Sequence, residues 1–253
     1  MIHVEFLGPS GVGKTTLRTQ VGERIPNTIH GRTGVKECLY RAHPRGRLIS
    51  KLPTQVDDWI LRRHWRCYLK GHHIRRCLVK HPQIGARTTE ILQACRSDMG
   101  ILKSVNADSL QEHVHEEMAI SHLFSTYTDD HETAIIDDGL YQFFLFLLVG
   151  EQTYSPTTLI ESLPRPDVLV IVDAPTDVCF ERQETRTRGR IGPFRGLDDQ
   201  EVMRFIDAMR TAVDRLAEVS SQQGIRTICL SNTEGLETAA ETLVDALSTD
   251  RPG

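Results

Sequence analysis

The sequence predicts a three-layer α/β fold: a central parallel sheet of about five strands, helices on both faces, and a helical insert beside the site. Three observations predict it. Short runs rich in Val, Ile and Leu recur and alternate with stretches of helical spacing. The first run, "IHVEFL" at 2–7, passes at once into a glycine-rich turn, Gly8 to Thr15, of the form G-x-x-x-x-G-K-T. No repeat or low-complexity linker divides the 253 residues, so a single domain over 1–253 is expected.

The first strand spans 2–7, stopped by Gly8 and Pro9, and a helix follows over about 13–24, with Pro26-Asn27 as its stop. A weak second strand falls at Asn27–His30 or at Gly34–Cys38. Residues 54–80 carry Val56, Trp59, Ile60, Ile74, Cys77 and Leu78 at helical spacings, and Pro82 ends that segment. Ile91, Leu92, Cys95, Met99 and Leu102 fit a second amphipathic helix, and Val114, Met118, Ile120, Leu123 and Phe124 a third. These helices make up the insert, about 36–127. Buried strands are expected in "TAIIDDG" (133–139), "DVLVIVDAP" (167–175) and "IRTICLSN" (225–232). Helices fill about 139–149, 176–187, 198–222 and 234–248.

Composition is that of an ordinary globular chain, 39% hydrophobic and 25% charged with a formal net charge of −4. Six cysteines (38, 67, 77, 95, 179 and 229) include no C-x-x-C pair, which reads as reduced thiols of a cytoplasmic protein. The opening strand leaves no room for a leader peptide. The longest apolar run, "GLYQFFLFLLVG" at 139–150, is too short to span a bilayer and carries Gln142, so it reads as a buried helix. Cys67, His72, His73, Cys77 and His81 cluster in sequence, but their spacing fits no common zinc pattern, and a plain helical face is expected. Charge is segregated. From Lys36 to Lys103 there are fifteen Lys/Arg against five Asp/Glu; from Ser104 to Pro164 there are eleven Asp/Glu and no Lys or Arg. The basic segment reads either as a grip on an anionic partner, through Arg41, Arg45, Arg47, Arg62, Arg63 and Arg66, or as a solvated face. Nucleic acid is not the expected partner, though this segment leaves it open, as the sequence leaves open a homodimer.

The chemistry gathers at strand ends, where open parallel sheets place their ligands. In the turn Gly8, Pro9, Ser10, Gly11, Val12 and Gly13, the glycines let successive backbone N–H groups face a pyrophosphate, and the helix start at Lys14, Thr15 and Thr16 adds its positive dipole end. Lys14 reaches the β- and γ-phosphates and Thr15 ligates Mg²⁺, at a site expected to be open to solvent. Asp137 and Asp138 follow the strand "TAII"; two adjacent carboxylates divide a metal role, given to Asp137, and a base role open to either. The plainer reading of each is a helix N-cap. Asp173 is a lesser candidate. Arg182, Arg186, Arg188, Arg190 and Arg195 lie in a glycine-punctuated stretch that reads as a lid, about 187–197, closing forked donors over a transferring phosphoryl group. Pairing with Glu181 and Glu184 on an exposed helix is the alternative.

"GPSGVGKTT", "AIIDD", "DAPTDVCFERQETRTRGR" and the stretch from "EVMRFIDAM" to "AAETLV" together resemble the P-loop nucleoside and nucleotide kinases, most closely the thymidylate-kinase-like branch. The resemblance implies the P-loop kinase fold, ATP and Mg²⁺ as cofactors, phosphoryl transfer to a small, anionic acceptor such as a nucleoside monophosphate or to a nucleoside, and lid arginines that stabilise the transferring group. It also implies that the loop at Ser231–Thr233, with Asn232 and Thr233, lies against adenine. The chain departs from the branch at Asp137-Asp138-Gly139, where thymidylate kinases carry Asp-Arg and deoxynucleoside kinases Glu-Arg-Ser. Residues 30–125 match neither. No Asn/Thr-Lys-x-Asp guanine motif and no Leu-Ser-Gly-Gly-Gln occur, which argues against a GTPase and an ABC-type ATPase. A hydrolytic ATPase or an ATP-binding regulatory protein is the alternative expectation.

Overall fold

The computed structural model describes residues 1–42, 70–96, 107–150, 155–186, 189, 194, 196–233 and 235–249. Five strands form one parallel sheet: β1 (Ile2–Leu7), β2 (Thr28–His30), β3 (Thr133–Ile136), β4 (Val168–Asp173) and β5 (Arg226–Ser231). Their order across the sheet is β2-β3-β1-β4-β5. In register, Val4 is partnered by Ile135 on one side and by Val168 on the other. The chain fills one side of β1 with β2 and β3 before crossing to β4 and β5, so the order reverses beside β1. That is the point where an open α/β sheet leaves a crevice at its carboxyl ends.

The described helices are α1 (Lys14–Arg24), α2 (Gly31–Ala42), α3 (Lys70–Lys80), α4 (Gln83–Arg96), α5 (Ala107–Tyr127), α6 (Leu140–Gly150), α7 (Pro156–Ser162), α8 (Thr176–Glu184), α9 (Asp199–Gln222) and α10 (Leu236–Ser248). β1, β3 and β4 are buried along most of their length, as continuous apolar strands covered on both faces must be. α1 and α10 pack together on one face; α6 and α9 cover β1, β4 and β5 on the other. Alternation along β3 splits the core. Ala134 and Ile136 join Ile29, Leu39, Leu123 and Phe124 in a pocket of packing under α2 and α5, and Ile135 joins the main core. β5 is an edge strand whose Cys229 is exposed. α9 starts on a capping box: the Asp198 carboxylate accepts from the Glu201 N–H at 2.8 Å, and the Asp198 N–H donates back to Glu201 Oε2 at 3.0 Å.

β1, β4 and β5 and helices α6, α9 and α10 lie within a residue or two of their predicted places, and α8 starts as predicted but ends at Glu184 rather than near 187. Three local expectations are corrected. The second strand is at Thr28–His30, and Gly34–Cys38 lies within α2, because Cys38 and Leu39 bury on one helical face. Gly34 makes that packing possible: a Cβ there would sit 2.5 Å from Ile29 Cγ2. α4 begins at Gln83, directly after Pro82, rather than near Ile91. The short helix α7 was not expected, although Ser155-Pro156 supplies its N-cap position and first-turn proline. The expected helical stretch 54–69, and Met99 and Leu102, lie outside the described residues.

Among the described residues no helix is long and apolar enough to cross a membrane, and α6 is a core helix. Cys38, Cys77 and Cys179 are buried free thiols. In the expected His/Cys helical face, His73 and Cys77 turn inward from α3 onto α5, where His73 Nδ1 lies 3.0 Å from His122 Nδ1. Cys67 lies outside the described residues.

Candidate functional site

The glycine-rich turn stands at the carboxyl end of β1, the middle strand. Gly11 and Gly13 take φ of 90° and 100°, left-handed values that ordinary side chains resist. Gly8 is required for a different reason: a Cβ there would lie 2.3 Å from the Val172 carbonyl oxygen of β4. Side chains from three other elements pin the turn. Gln142 Oε1 of α6 accepts from the Gly8 N–H at 3.2 Å, and Gln183 Nε2 of α8 donates to Ser10 Oγ at 2.9 Å. Asn232 Nδ2 donates to the Val12 carbonyl at 2.5 Å, and Arg182 Nη1 donates to the same oxygen at 3.2 Å. The N-terminus of α1 has no side-chain cap and no acidic residue in its first turn. Its N–H groups and dipole are therefore left for an anion.

Lys14 is not open to solvent, as expected from sequence, but buried, with 7% of its surface exposed. Its Nζ donates to the Gly8 carbonyl at 2.9 Å and the Pro9 carbonyl at 3.3 Å, and lies 3.7 Å from Asp138 Oδ1. Loss of hydration lowers the Lys14 ammonium pKa, and Asp138 and Asp137 oppose that shift. The two adjacent aspartates point apart. Asp137 is two-thirds or more covered and pairs with Arg18 Nη1 at 2.6 Å; Asp138 is exposed and faces Lys14. Desolvation raises the Asp138 carboxyl above the usual range, partly offset by Lys14 and raised further by Asp137.

Two further acids lie near these aspartates, Glu5 buried and Glu117 half-buried. Glu5 of β1 accepts from the Tyr141 N–H at 2.6 Å at the start of α6. Gly139 makes room for it, since a Cβ there would meet Glu5 Cδ at 2.4 Å. Burial pushes the Glu5 carboxyl up to about 8, against the opposing pull of the Tyr141 and Gln142 backbone N–H groups. Glu117 of α5 is raised well above its ordinary value by desolvation, then by the nearby Asp138 and Glu5.

A cavity of about 570 Å³ opens beside the turn. Ser10, Gly11, Gly13, Lys14, Thr15 and Thr16 line it, as do Asp138, Arg182 and Arg186. Gly8 and Val12 are buried behind the turn, and Asp137, Asn232 and Thr233 do not line the cavity. Asn232 is buried as a brace for the turn, while Thr233 Oγ1 lies 2.8 Å from Ser231 Oγ. Asp173 is bound by Arg210 through both oxygens, at 2.8 and 2.9 Å. Arg188, Arg190 and Arg195, with most of the expected lid, lie outside the described residues. So do Arg45, Arg47, Arg62, Arg63 and Arg66. Arg41 is described and is tied down: it donates to Glu132 at 2.6 and 2.7 Å, to Glu37 at 2.6 Å and to the Tyr127 carbonyl at 3.0 Å.

Sequence reasoning missed Arg18, Glu5, Gln183 and the bracing role of Gln142. Two of these had a signal. Arg18 lies four residues after Lys14, hence on the same helix face, and Glu5 is an acid inside an apolar strand. Gln183 had none, because only the tertiary fold brings α8 to the turn.

No protein-family model and no curated protein matches the chain. Solved structures align along almost all of it at low identity. Deoxyadenosine kinase from M. mycoides with bound dCTP is similar at 11% identity and a TM-score of 0.46, over 98% of this chain and 100% of that one. Shikimate kinase from Bacteroides thetaiotaomicron is similar at 14% identity and a TM-score of 0.42, over 98% of each. At this level the likeness assigns neither an activity nor a ligand to this chain.

Proposed function

We propose that the chain is an ATP-dependent phosphotransferase that moves the γ-phosphoryl group of Mg-ATP to a hydroxyl of a small molecule. The observation that carries this is the left-handed glycine turn at the end of β1, running into an uncapped helix and opening on a cavity rimmed by Lys14 and Asp138. The cradle fits a pyrophosphate: it offers main-chain donors, a helix start without a competing acid, and one cation. Lys14 exchanges the Gly8 and Pro9 carbonyls for the β- and γ-phosphate oxygens, which gives its buried ammonium anionic partners. Arg182 and Arg186, both on the cavity wall, follow charge onto the transferring group.

Thr15 at the start of α1, on the cavity wall, would hold Mg²⁺; Asp137, the expected second ligand, is paired with Arg18 and does not line the cavity. When bound, the ion neutralises charge spread over the phosphate oxygens. Asp138 is the carboxylate that reaches the cavity, so it orients the acceptor hydroxyl and takes its proton. The narrower expectation of a nucleoside or nucleoside monophosphate acceptor, and of the thymidylate-kinase-like branch, is supported only by the sequence resemblance.

The test is to incubate the chain with Mg-ATP and a panel of nucleosides, nucleoside monophosphates and other hydroxyl compounds, following ADP and phosphorylated product by ³¹P NMR. ADP matched by product supports transfer. ADP formed without any acceptor favours a hydrolytic ATPase, and no ADP under any condition overturns the transferase reading.

A further inference from the structure

We infer that Arg18 is a positioning residue for Lys14: by holding Asp137 to one side, it leaves a single carboxylate, Asp138, on the ammonium that the β-phosphate must reach. The inference rests on the reading of Gly8 to Thr15 as the pyrophosphate cradle of a transferase, and it concerns a residue outside the glycine-rich motif.

Lys14 and Arg18 lie four residues apart on α1, so their side chains share a helix face. That face meets the corner between β3 and α6, where two acids are consecutive, Asp137 and Asp138. Each acid has its own cation. Arg18 Nη1 donates to Asp137 Oδ1 at 2.6 Å, and Lys14 Nζ stands 3.7 Å from Asp138 Oδ1. The first pair is covered on both sides, its side chains 16% and 15% exposed, whereas the Asp138 side chain is 53% exposed. The fold also makes room for the guanidinium. Residue 31, where β2 turns into α2, is a glycine with φ of 55°, and a Cβ there would lie 3.1 Å from Arg18 Cζ.

The two cations suit different tasks. Arginine stays charged and is fitted to hold a carboxylate permanently, while the lysine ammonium is a compact point charge that can change partners. Both carboxylates attract the Lys14 ammonium, Asp138 the more strongly. A covered acid that loses its partner is left with an uncompensated charge, so without Arg18 the Asp137 carboxylate turns to the next cation on the same helix face, which is Lys14. An incoming phosphate must then displace two carboxylates. With Arg18 in place it displaces one, an exposed contact of the kind that is readily given up. Asp138 is thereby released toward the cavity that it lines.

The experiment is calorimetric titration of the full chain with ADP and with AMP in the presence of Mg²⁺, read as the ratio of the two affinities. Only ADP brings a β-phosphate to Lys14. Arg18→Met keeps the aliphatic stem and removes the donors; the ratio is expected to fall about tenfold, through ADP rather than AMP. Asp137→Asn alone is expected to change ADP affinity by less than about twofold, since the acid it removes is already held aside. Combined with Arg18→Met, it is expected to bring the ratio back to within about threefold of wild type, and Arg18→Lys is expected to stay within the same range. A merely structural ion pair would lower both affinities together and leave the ratio intact. Where Arg18→Met does not fold, Arg18→Gln keeps a neutral donor for Asp137 and is expected to lower the ratio by about threefold or more. An unchanged ratio in the folded Arg18 variant, or a double variant as impaired as Arg18→Met, overturns the inference and leaves the cradle reading standing. A wild type that binds ADP no more tightly than AMP overturns the cradle reading and takes this inference with it.

Discussion

The cavity lining comes from two groups of residues built by opposite means, the glycine turn and a set of aromatic side chains. The glycine turn is local: nine consecutive residues, Gly8 to Thr16, set backbone direction, donors and cation, and distant side chains only brace them. The aromatic group is non-local, with Leu110, Phe146, Phe194 and Phe205 drawn from sequence positions almost a hundred residues apart. On the proposed reading, the local group carries the phosphate chemistry through a few fixed dipoles and charges, while the aromatic group depends on how α5, α6 and α9 pack.

The sharpest way to break the turn is Lys14→Ala. Transfer measured as kcat/KM should fall by about 10²–10³-fold, the scale of removing one donor that follows developing charge. Retention of near-wild-type turnover would remove Lys14 from the chemistry.

The aromatic group breaks through stability instead. Phe205 is fully buried and touches both Phe146 and Phe194, so Phe205→Ala should destabilise the fold by about 3–5 kcal/mol in urea denaturation. A loss under about 1 kcal/mol would mean that these rings form no common wall.

This asymmetry also explains what was legible in the sequence. The strand–turn–helix at 2–24 could be read outright because glycine spacing, a β-branched run and a lysine are all local signals. The strands ending at Ile136 and Asp173 were visible as apolar runs. Which aspartate faces the cavity was not: Asp137 and Asp138 are neighbours, and only the position of Arg18 on α1 sends one inward and leaves the other at the rim. Asn232 was expected against a ligand and instead braces Val12, a contact across 220 residues that no spacing encodes. Lys14 was expected in the open, but it is buried with its donors satisfied on the turn's own carbonyls, a closure that residue spacing does not encode.

A smaller effect sharpens the link between the two groups. Glu5 anchors α6, which carries both Gln142 toward the turn and Phe143 toward the aromatic wall. Its carboxyl is raised from 4.5 to about 8 in the folded chain. The folded state therefore holds a proton that the unfolded state has released. The associated stability is fully present below pH 4.5 and is lost as pH rises through about 8. Glu5→Gln keeps the acceptor oxygen and removes the titration. Between pH 5 and 8 the wild type should lose roughly 3–4 kcal/mol relative to this variant, read from denaturation at each pH. Parallel pH profiles for the two proteins would mean that Glu5 stays ionised in the fold.

The central claim is that Gly8 to Thr15 holds a pyrophosphate, and it is tested most directly by calorimetric titration of the wild-type chain with ADP and with AMP in the presence of Mg²⁺. ADP presents a β-phosphate to the turn and AMP does not. The account predicts one ADP site with affinity about a hundredfold above that for AMP, the equivalent of one or two charge-assisted hydrogen bonds. Equal affinities, or no binding of either nucleotide, would contradict it.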